Sequence, residues 1–426
     1  MASKLLTVLG FAMSYGVFQE YYVNNWTLQG SKSTTGIIGT TQNGVMYLSM
    51  PFLFALFTKR WARYRQLAAL CGAAIASLSF ALSSLSTNVW HLVVTQGVLA
   101  ALGCALVFSP ITLSVNEWFN TAGSNRALAL GITLSCKNIV GSTCPFLFRG
   151  LLDHYGFRVT LRAWTAIAGV TGVLPILLIP THPSSLSLDQ ETRERRIPWH
   201  FLHHKTIYIY SFAIILQSAG YGIPQTYLSE YAREVTLLSQ TSATLLLTLF
   251  NIPGIASSSF FGYLSDNKHF HLSATTVTCI SAVSSALAAF LFWGLTSPGS
   301  MALLIIFSLT FGFFAGGYSA TWGGVLNELE KEAAAENEAI DTGMIYGLLN
   351  GARGIGYVSG GLAGVPLVRA GADRLPGVFA YGTRYGPLIV FTGLSSIFGG
   401  WGVLWRWKGV GRIVPKRVRE YVMQHC

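Results

Sequence analysis

The chain has 426 residues, 51% of them hydrophobic and only 11% charged, with a mean hydropathy of +0.48. A soluble globular chain carries about 25% charged residues, so this composition excludes a soluble enzyme or binding module and predicts an all-α, multi-pass integral membrane protein. The net charge of +11 raises nucleic acid as a partner, but the cations fall in short loops between apolar runs, which turns the charge into a topology signal instead.

A window of about 19 residues predicts twelve membrane-spanning helices, at 4–23, 36–58, 66–86, 90–113, 127–148, 158–180, 206–228, 239–263, 271–294, 300–325, 342–367 and 385–406. The first could be taken for a signal peptide because Lys4 precedes an apolar run, but no small-residue cleavage site follows it. It is also repeated: Tyr15, Gly16, Gln19 and Tyr21 recur in the same spacing as Tyr221, Gly222, Gln225 and Tyr227 at the start of the seventh segment. The pairs Asn116-Glu117 and Asn327-Glu328 mark the ends of the fourth and tenth segments. GITLSCKNIVG (131–141) lies over GLLNGARGIGY (347–357), matching Gly131 with Gly347, Lys137 with Arg353 and Ile139 with Ile355. Three matches in one order predict two pseudo-symmetric six-helix halves, 1–180 and 206–406, joined by a cytoplasmic linker at 181–205 and followed by a basic tail at 407–426.

Loop cations set the orientation. With both termini in the cytoplasm, 18 Lys and Arg lie inside and eight outside, the eight being Lys32, Arg149, Arg158, Arg162, Arg233, Arg369, Arg374 and Arg384. The positive-inside rule therefore places both ends in the cytoplasm, with the plasma membrane expected over the vacuole. The only sequon begins at Asn25, in the first outer loop, a candidate glycosylation site.

Lys137 and Arg353 complete the 28 cations, and neither is in a loop. At about 1.5 Å per residue, Lys137 lies roughly 15 Å from either end of its predicted helix, too deep for its stem to reach the headgroups. A charge at that depth costs at least about 2.5–3.5 kcal/mol, so each cation is a functional candidate by default. No carboxylate is predicted at the same depth, which favours an anionic substrate. The structural alternative is hydrogen bonding to carbonyls or to Asn43, Asn138, Asn251 and Asn350.

Glu117-Trp118-Phe119 with Arg126-Ala127-Leu128-Ala129-Leu130-Gly131, and Gly262-Tyr263-Leu264-Ser265-Asp266-Asn267-Lys268, are the stretches that carry a family likeness. Through them the sequence resembles the major facilitator superfamily, in particular fungal members of its monocarboxylate-porter branch. The resemblance implies a secondary transporter working by alternating access, with Glu117, Arg126, Asp266 and Lys268 in the inner gate. It also implies that helices 1 and 7 line the central cavity, which brings in Tyr15, Gln19, Tyr221, Gln225 and Tyr227 as substrate-binding candidates beside Lys137 and Arg353. Three positions that couple protons in well-studied branch members align with Gln19, Asn251 and Ile255, all uncharged. Asn251 joins the substrate-binding candidates.

Glu20 is the one acid predicted near a helix core. It is a candidate proton carrier, the alternative being a solvated interfacial carboxylate. The six cysteines and nine histidines show no metal spacing, and no cofactor is expected beyond a coupling ion, for which H+ is the candidate. The expected cargo is a small organic anion, most simply a monocarboxylate. The alternatives are export of a fungal secondary metabolite and, in another class, a non-transporting membrane sensor.

Overall fold

The computed structural model describes residues 10–58, 61–118, 126–178, 199–266, 272–338, 340–372 and 379–404. Residues 181–198 of the predicted linker (181–205) and the predicted tail lie outside them. Among the described residues, helices occupy all twelve predicted places. They are α1 (Tyr15–Asn24), α2 (Gly36–Leu48, resumed at Met50–Thr58), α3 (Arg65–Ser83) and α4 (Val89–Leu92, running through a π-helical segment Val93–Leu99 into Ala100–Trp118). One continuous stretch, Arg126–Leu178, holds both α5 (126–155) and α6 (157–178). Then come α7 (Lys205–Glu234), α8 (Gln240–Asp266), α9 (Ala274–Trp293), α10 (Met301–Ala335), α11 (Thr342–Ala372) and α12 (Gly386–Phe398).

Seven of these, α3, α4, α7, α8, α9, α10 and α12, are long and apolar enough to cross a membrane. Phe52, Leu78, Val170 and Leu362 stand exposed on the bundle, an apolar exterior suited to lipid. The rings of Phe11, just before α1, Phe18 of α1, Phe148 of α5 and Trp164 of α6 pack against one another.

Two helix ends differ from the expectation. The predicted loop after residue 148 is helical up to Gly156, whose φ of +72° and ψ of 173° reverse the chain in one residue. An added Cβ there would meet only the Tyr21 hydroxyl, at 3.4 Å, so the backbone angle, not space, requires glycine. Arg149 is therefore a buried helical residue and not a loop cation. Likewise α7 continues past the predicted end at 228 to Glu234, so Glu230 and Arg233 are helical too.

Helices from the two halves of the chain meet along two long seams, α2 with α11 and α5 with α8, and at the predicted outer end α1 meets α7. Small residues permit the approach. A Cβ on Gly131 would lie 2.5 Å from the Ser258 carbonyl oxygen, and one on Gly354 would lie 2.3 Å from the Leu48 amide nitrogen. Across α5–α8, Ser135 Oγ donates to the Ile255 carbonyl at 2.6 Å and Asn138 Nδ2 to Ser258 Oγ at 3.1 Å. Because the atoms opposite Gly354 are backbone, they cannot rotate away. Gly354→Ala is therefore expected to push α2 from α11 and cost about 1–3 kcal/mol, read as a lower melting temperature of purified protein. Gly150→Ala, where nothing lies within 4 Å of the new Cβ, is expected to leave stability unchanged or slightly higher. Equal losses in both variants would refute the seam argument.

Candidate functional site

Arg353 is 6% exposed and sits on the face of α11 that looks toward α2, α7 and α10. Four rings surround its guanidinium: Tyr47 of α2 at 4.8 Å from Cζ to ring centroid, Tyr357 of α11 at 5.6 Å, Trp322 of α10 at 5.7 Å and Tyr221 of α7 at 5.8 Å. Tyr47 and Tyr357 stack on each other, and Tyr221 meets Tyr357 edge-on. Ring faces attract a cation, but they do not supply a counter-charge. Arg353 Nε and Trp322 Nε1 are buried without a hydrogen-bond partner, and among the described residues Arg353 forms no ion pair. Lys137, 3% exposed on α5, likewise has no carboxylate partner among the described residues. Two buried basic side chains and two unpartnered donors thus stand in the interior.

Neither cation bonds any of the four asparagines among the described residues, and the asparagine amides donate elsewhere. The side-chain amides of Asn43, Asn251 and Asn350 donate to the carbonyls of Gly39, Leu247 and Tyr346, and that of Asn138 to Ser258. Asn251 also donates to the Gly141 carbonyl at 3.2 Å, which places it in the α5–α8 seam. Gln225 lies at the contact between the halves, and Tyr15 is bonded within its own half. The Tyr15 hydroxyl donates to the Thr35 carbonyl at 2.5 Å, and Gln225 Nε2 lies 3.7 Å from Met13 Sδ. Of the aromatic and amide candidates read from the sequence, only Tyr221 touches Arg353.

Gln19 and Tyr227 line a different space, a cavity of about 310 Å³ at the predicted outer end. Glu230 lies in its wall, buried, receiving Gln19 Nε2 at 3.0 Å, Arg384 Nη2 at 2.7 Å and the Tyr385 hydroxyl at 2.9 Å. The expectation that Glu20 is the one acid near a helix core is corrected by this residue, which fell beyond the predicted end of α7. Glu20 itself is not solvated. It is 1% exposed, paired with Arg149 and 3.3 Å from Arg233 Nε, and Asn24 Nδ2 donates to it at 2.6 Å.

Asn25 is exposed at the end of α1. Of the predicted inner gate, Glu117, Arg126 and Asp266 stand in helix ends whose side chains are not described, and Lys268 lies outside the described residues. His204, Glu336 and Glu338 bring one ligand atom each within 4.8 Å of one another, the one grouping among the described residues that could hold a metal ion. Sequence spacing gave no sign of it, because the His and the two Glu stand on different elements.

Three residues of the Arg353 box went unread in the sequence. Tyr357 was legible, four residues on and hence on the same helical face. Tyr47 and Trp322 reach the guanidinium only through the tertiary fold.

Comparison with known proteins agrees with this architecture. A family model described as the Major Facilitator Superfamily matches residues 1–361. The chain is 26% identical to the MFS-type transporter pynF of Aspergillus niger over 85% of this chain and 77% of that protein. It is 26% identical to monocarboxylate transporter 13 of Rattus norvegicus over 84% and 78%, and 24% identical to the MFS-type transporter hasB of Aspergillus fumigatus over 96% and 88%. Among solved structures, the nucleoside transporter NupG superposes with a TM-score of 0.65 at 15% identity, over 96% of this chain and 98% of that one. With helices at every predicted place and a family match over most of its length, the chain belongs to the major facilitator superfamily and is a membrane transporter of small molecules.

Proposed function

We propose that the cargo is a small organic anion, a monocarboxylate or a molecule with a similar acidic group, bound between Arg353 and Lys137 and moved by alternating access. The observation that carries this reading is the buried Arg353 guanidinium, held by four rings and left without a carboxylate partner or a bond to Nε. A buried, uncompensated guanidinium disfavours a neutral or cationic ligand and is stabilised by an anion. Trp322 Nε1 offers one further donor.

The contacts between chain halves supply the moving parts. At the predicted outer end Gln19 bonds Glu230, Arg233 approaches Glu20, Gln240 bonds Asp153 at 3.2 Å and Arg369 bonds Ser33 at 2.8 Å. These links join helices of opposite halves and must break for that end to open. The uncharged Gln19, Asn251 and Ile255 favour outward movement of a metabolite as the second reading, with the same anionic site.

The test is transport by purified protein in sealed liposomes, with radiolabelled lactate, pyruvate, benzoate, uridine and choline placed inside or outside. Accumulation or release of at least one carboxylate, with uridine and choline unmoved, is the expected result. Movement of uridine or choline alone would sink the anion reading.

A further inference from the structure

His204 is the N-cap residue of α7, and Glu332, Glu336 and Glu338 follow one another at the end of α10, so this cluster joins the predicted inner ends of two helices. Along α7 it stands seventeen residues before Tyr221 of the Arg353 box, about 25 Å at 1.5 Å per residue. The backbone fixes both sides. The short 3-10 helix Trp199–His203, anchored by the fully buried Phe201, leads into His204, whose side chain makes no capping bond. α10 ends in a Schellman turn: Asn337 has φ of +57°, the Glu338 amide donates to the Ala333 carbonyl at 2.8 Å and the Asn337 amide to the Ala334 carbonyl at 3.3 Å. That turn holds Glu336 and Glu338 at a helix C-terminus, where the partial negative charge favours a cation.

His204 is only 8% exposed, yet its Nε2 has no hydrogen-bond partner, and neither has Glu338 Oε2. These two atoms face each other at 3.4 Å. A hydrogen-bonded pair of imidazolium and carboxylate closes to about 2.7–2.9 Å. In a tetrahedral zinc site, with metal–ligand bonds of about 2.0–2.2 Å, two ligand atoms stand about 3.4 Å apart. The gap between Nε2 and Oε2 thus has the span of one edge of such a site. Neither atom meets solvent, but a zinc ion is smaller than a water molecule, and the third carboxylate gives it a way in. Glu336 is exposed, and one ligand atom each of His204, Glu336 and Glu338 lies within 4.8 Å of the other two. On the far edge of the ring, His204 Nδ1 is 3.7 Å from Glu332 Oε2, the side on which zinc-binding histidines carry an orienting carboxylate. Glu332 is held in turn by the Thr206 hydroxyl, which donates to Oε1 at 2.8 Å.

From this geometry we infer that His204, Glu336 and Glu338 form a site for one Zn2+ ion, with water as the fourth ligand and Glu332 orienting the imidazole. A nitrogen ligand beside carboxylates suits zinc, whereas magnesium and calcium take oxygen ligands. The bound ion ties the start of α7 to the end of α10. Both helices belong to the second half of the chain, so the tie stiffens that half and leaves rocking between the halves free. Nothing in the site depends on what the cargo is.

The experiment is calorimetric titration of zinc chloride into the full-length protein in lipid nanodiscs, purified on a tag without histidines and stripped with EDTA. Wild type is expected to bind one Zn2+ per chain in this site. His204→Gln, and separately Glu336→Gln/Glu338→Gln, should weaken that binding at least about tenfold, and Glu332→Gln about tenfold with the ion still bound. Zinc should raise the melting temperature of wild type and not that of His204→Gln. The six cysteines are competing zinc ligands, so Co2+ is titrated in parallel, since thiolate ligands add a charge-transfer band that nitrogen and oxygen ligands lack. Should His204→Gln protein not be monodisperse, Glu336→Gln, a change at an exposed position, decides by the same tenfold loss. No zinc bound by wild type, zinc binding unchanged in the variants, or a Co2+ spectrum of thiolate ligation alone overturns the site. Mg2+ bound as tightly as Zn2+ would mark an unspecific acidic patch and overturn it too.

Discussion

Arg353→Gln is expected to abolish transport while raising the thermal stability of the ligand-free protein. The two effects have one cause. The guanidinium is buried, permanently charged and without an acidic partner, so it destabilises the empty fold and is compensated when an anion arrives. Removing a desolvated contact between a charge and an anion costs about 2–5 kcal/mol, so cargo affinity should fall at least about 30-fold. Arg353→Lys keeps the charge and loses the planar fork that fits a carboxylate bidentately and stacks on rings. It should retain measurable transport at raised half-saturation. Lys137→Gln should act in the same direction with a smaller effect, since Lys137 lacks the ring box that fixes Arg353. The measurements are liposome transport and melting temperature on the same preparations. A structural cation would give the opposite pattern, with transport kept per folded molecule and a lower melting temperature.

How much of this was legible in the sequence depends on the range of the interaction. Helix positions follow from local hydropathy, and helices stand at all twelve predicted places. The match of Lys137 with Arg353 in the internal repeat marked both as candidates, because a cation in mid-span is costly enough to be informative alone. Tyr357 could have been added from its spacing. Tyr47 and Trp322 could not, since aromatic residues are common in this chain and only tertiary packing selects these two.

Helix ends were the weak point, and the errors there had consequences. Hydropathy falls at Ser229 and Glu230, so α7 was ended early and a buried carboxylate was read as loop. The same fall at Arg149 hid the partner of Glu20. In both places the helix persists because its polar side chains find each other: Arg149 with Glu20, Arg384 with Glu230. A hydropathy window counts each as a penalty and cannot see the pairing. The substrate-binding candidates on α1 and α7 were read as one site for a related reason. Repeat symmetry matches depth along the helix, whereas the face each residue presents depends on its neighbours, and these divide among the box, the outer cavity and the seams.

Arg149→Gln is expected to be the most destabilising single change at the predicted outer end. Glu20 and Arg149 are both buried, and both belong to the first half of the chain, so their pair persists whichever end of the transporter is open. Removing the guanidinium leaves Glu20 with Asn24 and Arg233, and Arg233 is itself more than a third exposed and sits in the other half. Breaking a buried pair from one side costs about 3–5 kcal/mol, whereas replacing both partners by apolar groups of similar volume is often neutral. Glu20→Leu/Arg149→Met should therefore recover most of the stability that either single change loses, with a coupling of about 2 kcal/mol or more in a double-mutant cycle. Arg233→Gln should cost far less, because its contact is partly solvated. Its effect should appear in transport kinetics, since the link between Glu20 and Arg233 joins the two halves and must open in each cycle. Thermal unfolding of wild type, Glu20→Leu, Arg149→Met and the double variant gives the cycle directly. A double variant as unstable as the sum of its singles would show that Glu20 and Arg149 are held by separate surroundings and not by each other.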